Sequence, residues 1–207
     1  MTNVREHAGY NNAHFKWLAP IYPFIEIFVN KMRKRVVQLI DKSPKKILDV
    51  ACGPGCQTYQ LAKAGHFVVG IDLSPDMLSQ AKKDDMIDLR YIEQDATATK
   101  FSDSEFDVST ISFALHDMPE NLAIDVLKEM KRVTKNCGKI IIVDYNEPSN
   151  FVARIFLGLS RLWETRYYWH FIQTGLGKYL QAATMRATSK KAYLFGNVQL
   201  VEITNTK

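Results

Sequence analysis

The chain has 207 residues, 46% of them hydrophobic and 24% charged, which suits one globular domain with a substantial core and excludes a largely disordered polymer. Its formal net charge is +5, a modest excess that leaves nucleic acid, an anionic surface and an acidic substrate all open. Three cysteines, an odd count, argue against a disulfide framework, their lack of zinc-ligand spacing argues against a metal site, and together they point to a reducing, cytoplasmic location.

Taken in chain order, residues 15–41 read as one or two helices, with Phe24, Ile27, Phe28, Met32, Val36, Leu39 and Ile40 near helical spacing. Ser43-Pro44 breaks that run. A short apolar strand follows over 46–50, then a helix over 58–64 closed by Gly65, and a strand over 67–71 that ends at Asp72. Ser74-Pro75 supplies a helix N-cap with proline behind it, and the spacing predicts a helix through Lys83. Strands are expected over 89–92 and 106–112, a helix over 120–133, and a fifth strand over 139–143 after a turn at Asn136 and Gly138. Alternating strand and helix implies a parallel sheet with right-handed crossovers and helices on both faces. Near the end, runs at 191–195 and 198–204 flank Gly196-Asn197, a hairpin signal that adds antiparallel strands to the sheet. The expected fold is therefore α/β: a Rossmann-like, open, mostly parallel seven-stranded sheet with an antiparallel C-terminal hairpin. It forms one domain over 1–207, with an N-terminal helical lid at 1–42, a core at 43–150 and 187–207, and an aromatic helical insertion at 151–186.

In an open parallel sheet, ligands bind beyond the carboxyl ends of the strands, where the strand order reverses. The first strand ends Asp49-Val50-Ala51-Cys52-Gly53-Pro54-Gly55, so Gly53 and Gly55 let backbone approach a ligand closely. Asp72 closes the next strand, placed for a ribose diol. A dinucleotide fingerprint would need a third glycine where Thr58 stands, and a pyrophosphate resting on the helix start. Asp49, just before the loop, opposes a phosphate and favours a cation. S-adenosylmethionine carries an ammonium, a sulfonium and a ribose diol, and no phosphate.

As a set, these residues resemble the class I S-adenosylmethionine-dependent methyltransferases, and most of all the branch that methylates quinone precursors in ubiquinone and menaquinone biosynthesis. The resemblance spans about residues 46–148. It implies that Asp49 positions the methionine end of the donor, that Ala51, Gly53 and Gly55 line it, and that Asp72 holds the ribose. Leu73 and Met77 then flank the adenine, and Asp95-Ala96 forms the next motif, whose acid faces the adenine amino group. The segment 113–118, beginning at Phe113, lines donor and acceptor, and 139–148 forms the last core motif. Ala51 departs from the pattern, because many members carry glycine there.

Methyl transfer needs alignment and exclusion of water, and it needs a base only where the acceptor loses a proton. His116, just past the fourth strand with Asp117 beside it, is the candidate base. Tyr145, at the end of the fifth strand, is the candidate for orienting the acceptor. Asp117 and Asp144 read as capping residues, and His66 as structural. Tyr10, Trp17 and Tyr22 resemble the aromatic lid of the quinone-type enzymes, whose N-terminal helices fold over the donor; core packing is the other reading. The aromatic insertion, with Tyr168 among its rings, suggests an apolar or aromatic acceptor. Its arginines and the basic run 31–35 suit peripheral contact with an anionic lipid surface, although no run reaches the ~18 apolar residues that crossing a bilayer takes. Nucleic acid is disfavoured, because the aromatics follow helical spacing. The acceptor is a small molecule or lipid. Two alternatives remain open: a phospholipid head-group N-methyltransferase, and a donor-binding module without turnover. The oligomeric state is not encoded in any motif.

Overall fold

The computed structural model describes residues 22–81, 88–148 and 166–207. The seven-stranded sheet has the order β3-β2-β1-β4-β5-β7-β6. Its strands are β1 (Lys46–Val50), β2 (Phe67–Asp72), β3 (Leu89–Glu93), β4 (Phe106–Ser112), β5 (Thr134–Tyr145), β6 (Ser189–Tyr193) and β7 (Val198–Thr204). The first five pair in parallel, while β7 runs antiparallel between β5 and β6. The expected fold is the observed one.

Period-two alternation divides the core. Leu48, Val50, Ile111, Ile140 and Ile142 face one side. There they meet α4 (Glu120–Val133), whose Ala123, Val126, Leu127, Met130 and Val133 recur at helical spacing. The short helices α5 (Arg166–Thr174) and α6 (Leu176–Ala182) complete that layer with Tyr168, Phe171 and Tyr179. Ile47, Val68, Val108, Ile141 and Val143 face the other side. They pack on Met32 and Val36 of α1 (Tyr22–Gln38) and Leu61 of α2 (Cys56–Lys63). Each fully buried side chain of this size contributes roughly 1.5–3 kcal/mol. The C-terminus locks the base of the sheet: Asn205 Nδ2 donates to the carbonyls of Lys131, Thr134 and Lys135 where α4 ends.

Four boundaries differ from the sequence reading. Helix α2 begins at Cys56, because the left-handed Gly55 (φ 73°) turns the chain directly into it. Helix α3 (Pro75–Ser79) is short and buries no residue, so nothing draws it on past Ser79. Strand β5 starts at Thr134, which pairs with Phe106 before a register shift and a left-handed Cys137 (φ 60°). The hairpin turn takes in Leu194 and Phe195 as well as Gly196, all at positive φ.

Because β1 lies between β2 and β4, the strand order reverses at the β1–β4 boundary. The crevice beyond Val50 and Ser112 is thus the switch point at which open α/β sheets take up ligands.

Candidate functional site

The loop after β1 is built to bring backbone forward. Ala51, Gly53 and Gly55 all adopt positive φ, at 50°, 53° and 73°. A Cβ on Gly53 would project into open space, whereas one on Gly55 would lie 2.4 Å from the Tyr91 ring. Tyr91 also donates its hydroxyl to the Gly55 carbonyl at 3.1 Å. The loop is therefore open on the Gly53 side and braced from β3 on the Gly55 side. Asp72 fastens it to β2: Oδ2 accepts from Gly53 N–H at 2.8 Å, and Oδ1 from Ser74 N–H at 2.9 Å. A carboxylate held by two backbone donors keeps its orientation and retains lone pairs for a diol.

Asp49 lies deeper than the sequence reading placed it. It is 2% exposed. Both its oxygens are engaged, Oδ2 by the Thr58 hydroxyl at 2.6 Å and Oδ1 by the Thr110 hydroxyl at 2.7 Å. Burial pushes its carboxyl up to about 6, with the two hydroxyls and the charge of Arg33 offsetting only part of that. Both carboxylate oxygens of Asp49 are thus committed to protein hydroxyls. Thr58, where a dinucleotide fingerprint has glycine, is one of its two anchors. Burial also pushes the Cys52 thiol well above its ordinary range, with Asp49 and Asp72 adding to the effect, so this cysteine is an inert neighbour.

Ser112 was not foreseen. It follows Thr110 by one strand period, on the same face as Asp49. Its hydroxyl is buried without a partner among the described residues. Leu73 and Met77 are half-buried beyond β2, and Ser74 caps α3 by accepting from Met77 N–H. Asp95 Oδ1 is tied to Thr97 N–H and Oγ1 in a local turn after β3, two strands from β1, and Ala96 packs on the larger core.

A second cluster sits beyond β4 and β5. His116, on the single helical turn Leu115–Asp117, is 4% exposed, and Asp144 of β5 is fully buried. Their side chains meet at 2.6 Å between Nδ1 and Oδ1. Asp144 also accepts backbone N–H groups from Leu115 (3.0 Å), His116 (3.4 Å) and Tyr145 (2.7 Å). A carboxylate so supplied with donors takes a ring N–H from His116. Nδ1 is thereby fixed as the donor, and the lone pair lies on Nε2. Asp117 Oδ2 lies 3.5 Å from Nε2, and Asp117 Oδ1 is buried without a partner among the described residues. The imidazole thus lies between two carboxylates, one at each ring nitrogen. The reading of Asp144 as a capping group is incomplete, because it also orients the imidazole.

Aromatic rings enclose the pair. Tyr145 meets His116 edge-on at 4.7 Å, Tyr168 at 5.9 Å and Phe171 at 6.4 Å, and Tyr145 meets Tyr168 at 5.0 Å. Phe113, bent to φ 53° straight after β4, packs on Tyr145 at 5.8 Å. Asn197 adjoins Val198, the register partner of Tyr145, and its amide is buried with both polar atoms unpartnered among the described residues. The structure thus brings His116, Tyr145, Tyr168 and Phe113 together, and adds Asp144. Tyr10 and Trp17 lie outside the described residues, as does the side chain of Tyr22, which opens α1.

The residues present fit S-adenosylmethionine. The open side of Gly53 admits a close ligand, the braced Asp72 suits a ribose diol, Ser112 Oγ is an orphaned buried polar atom, and Asp49 is a buried carboxylate favouring a cation.

Comparison with known proteins agrees. A family model described as a methyltransferase domain matches residues 47–138. An uncharacterized methyltransferase of Synechocystis sp. is 35% identical over 162 residues, covering 76% of this chain and 74% of that protein. A demethylmenaquinone methyltransferase of Staphylococcus saprophyticus is 41% identical over 128 residues, covering 59% of this chain and 54% of the other. The chain thus spans about half the length of that relative. Among solved structures, a SAM-dependent methyltransferase from Aquifex aeolicus superposes with a TM-score of 0.65 over 84% of this chain and 89% of that one, at 17% identity.

Proposed function

The chain belongs to the class I S-adenosylmethionine-dependent methyltransferases, and from that premise we propose that it methylates a lipophilic, ring-bearing small molecule of the quinone-precursor type. The observation that carries this reading is the buried His116–Asp144 pair inside an aromatic enclosure.

When bound, S-adenosylmethionine supplies a methyl group already activated by its sulfonium. What the chain contributes is placement, dryness and a proton acceptor. The Gly53 loop, Asp72 and Ser112 hold the donor. The rings of Tyr145, Tyr168 and Phe113 exclude water and suit a flat apolar acceptor. The Asn197 amide, able to donate and to accept, suits an oxygen on that acceptor. His116 Nε2 takes the proton that a hydroxyl or an activated ring carbon gives up on methylation. Asp144 keeps the imidazole in the tautomer for this role, as a positioning residue. A tertiary amine or thioether would need no such acceptor. Similarity to demethylmenaquinone methyltransferases adds support for a quinone-type acceptor.

The test is transfer of tritiated methyl from the donor into a demethylmenaquinone-type quinol, a simple phenol and phosphatidylethanolamine, offered separately in detergent. Label is expected in the quinol. His116→Ala is expected to lower turnover by roughly 10²–10⁴-fold with donor affinity unchanged, and Asp72→Ala to weaken donor binding. Label in phosphatidylethanolamine alone would replace this reading with head-group N-methylation. Donor binding without transfer to any acceptor would leave only a binding module.

A further inference from the structure

We infer that the groove between α1 and α2 is a binding site for a phosphate ester. This inference goes beyond the acceptor reading, and no part of it uses an acceptor.

The groove is a cavity of about 590 Å³ walled by α1 and by the length of α2, a size at which small organic ligands are taken up. Its cations are Arg33 and Lys34 from α1 and Lys63 from the last turn of α2, and no aspartate or glutamate lines it. Asn30 and Gln60 meet across it, with Gln60 Nε2 donating to Asn30 Oδ1, which leaves the Asn30 amide nitrogen as a donor. A concave wall of one sign focuses the field and draws in counter-charge.

Solvation alone is a poor account of this cluster. Around the sheet, Lys46 pairs with Glu105, Lys135 with Asp107, Lys139 with Glu202, and Arg132 with both Glu129 and Asp103. In the groove that matching fails. Among the described residues no carboxylate lies within ion-pair distance of Lys34 or Lys63, and the Lys63 ammonium rests only against the Tyr59 ring, 5.9 Å from its centroid. Ammonium and amide donors arriving from two helices suit an anion with acceptor oxygens on several sides, which is the chemistry of phosphate. The Tyr59 ring and half-buried Val37 add an apolar stretch of wall for the group that carries the phosphate, so the fit is to an ester more than to a bare ion.

The groove is separate from the donor crevice. Pro54 and Gly55 border it, whereas Gly53, Asp72, Ser112 and Phe113 do not, and S-adenosylmethionine carries no phosphate. No described helix is long and apolar enough to cross a membrane, so a lipid phosphate would be met at the protein surface.

The test is titration calorimetry of the full chain with glycerol 3-phosphate and with pyrophosphate, beside flotation with vesicles of phosphatidylcholine containing phosphatidylglycerol. The groove variant is Lys34→Gln with Lys63→Gln, two exposed positions. Lys128→Gln with Lys191→Gln, also exposed, removes the same charge elsewhere. The parent is expected to bind, the groove variant to bind at least about tenfold more weakly, and the control pair to bind as the parent does, with all three melting alike. Binding of glycerol 3-phosphate that follows this pattern supports a soluble ester as the source, and binding confined to vesicles that follows it supports a lipid headgroup. The inference is overturned if no probe binds, if the groove and control variants lose binding equally, or if S-adenosylmethionine displaces pyrophosphate, which would place the anion in the donor crevice. Failure here leaves the quinol assay untouched, and failure of the quinol assay leaves these titrations untouched.

Discussion

Donor binding should be linked to pH through Asp49. Its carboxyl is pushed from an ordinary 3.8 to about 6 by burial, so holding it ionised at neutral pH costs about 3 kcal/mol. Between those values the folded chain binds more protons than the unfolded one. The cost is therefore absent below pH 4 and complete above pH 6, and stability falls as pH rises through that window. A cationic donor above the residue reverses the balance by favouring the carboxylate. Donor affinity is expected to be flat from pH 7.5 to about 6.5 and to fall about tenfold by pH 5, where binding releases nearly one proton. Asp49→Asn keeps the shape, and the Thr58 and Thr110 hydroxyls can rotate to suit an amide. This variant should bind the donor weakly without that pH slope. It should also melt above the parent at pH 7.5, by an amount worth on the order of 1–2 kcal/mol, with the gap closing near pH 4. The assay is titration calorimetry in two buffers of different ionisation enthalpy, paired with thermal melts. A parent affinity that stays level from pH 7.5 to 5, or the same slope in Asp49→Asn, would refute the idea that this carboxylate senses the donor's charge.

Two further outcomes follow from geometry. Ala51 sits at φ 50°, where a Cβ costs roughly 1–2 kcal/mol. The extra chain entropy of glycine takes back about 0.5–1 kcal/mol, so Ala51→Gly should raise the melting temperature by about 1–3 °C; a drop would show that the Ala51 methyl packs usefully. His66 is buried, its Nδ1 is unpartnered among the described residues, and burial with the Lys45 charge lowers its pKa. Its neutral form is the folded one, so its stability contribution is full above about pH 6.5 and is lost as pH falls below that value. His66→Gln should remove this acid sensitivity in denaturant titrations at pH 7.5 and 5.5, and an unchanged pH difference would refute it. Below pH 6 Asp49 and His66 act with opposite sign, so each is read from its own variant.

The elements that bury one face announce themselves. The spacing of Ala123, Val126, Leu127, Met130 and Val133 admits only a helix, and the short apolar runs at 46–50 and 106–112 only buried strands. The donor loop is legible for the same local reason, since Asp49, Gly53 and Gly55 are neighbours in sequence and Asp72 ends the next strand. What stays hidden is whatever register creates. Asp144 lies 28 residues from His116, and the two meet because Ser112 pairs with Val143, which sets the turn that follows β4 level with the end of β5. Thr110 meets Asp49 across 61 residues for the same reason, and Tyr91 braces Gly55 across two strand pairings. Residue type gives no warning of this, because an acid ending a strand looks like a cap until its cross-strand neighbour is known.

The strained positions were hidden differently. Ala51, Phe113, Leu194 and Phe195 occupy left-handed backbone without being glycine or asparagine, so no turn signal marked them. All four lie at the carboxyl end of the sheet. Ala51 and Phe113 follow the two strands that flank the switch in strand order, and Leu194 and Phe195 crown the hairpin beside β5. At the opposite end the chain adopts such backbone at Ser104, Cys137, Thr184 and the glycine turn after α2; the side chains of Ser104, Cys137 and Thr184 are small or polar. The contrast is one of side-chain bulk. Where only connection is needed, the left-handed side chains are small or polar, and at the carboxyl end of the sheet they include phenylalanine and leucine. A bulky side chain in that region is kept only if its direction matters. The direction of Phe113, onto Tyr145, is what closes the enclosure around His116.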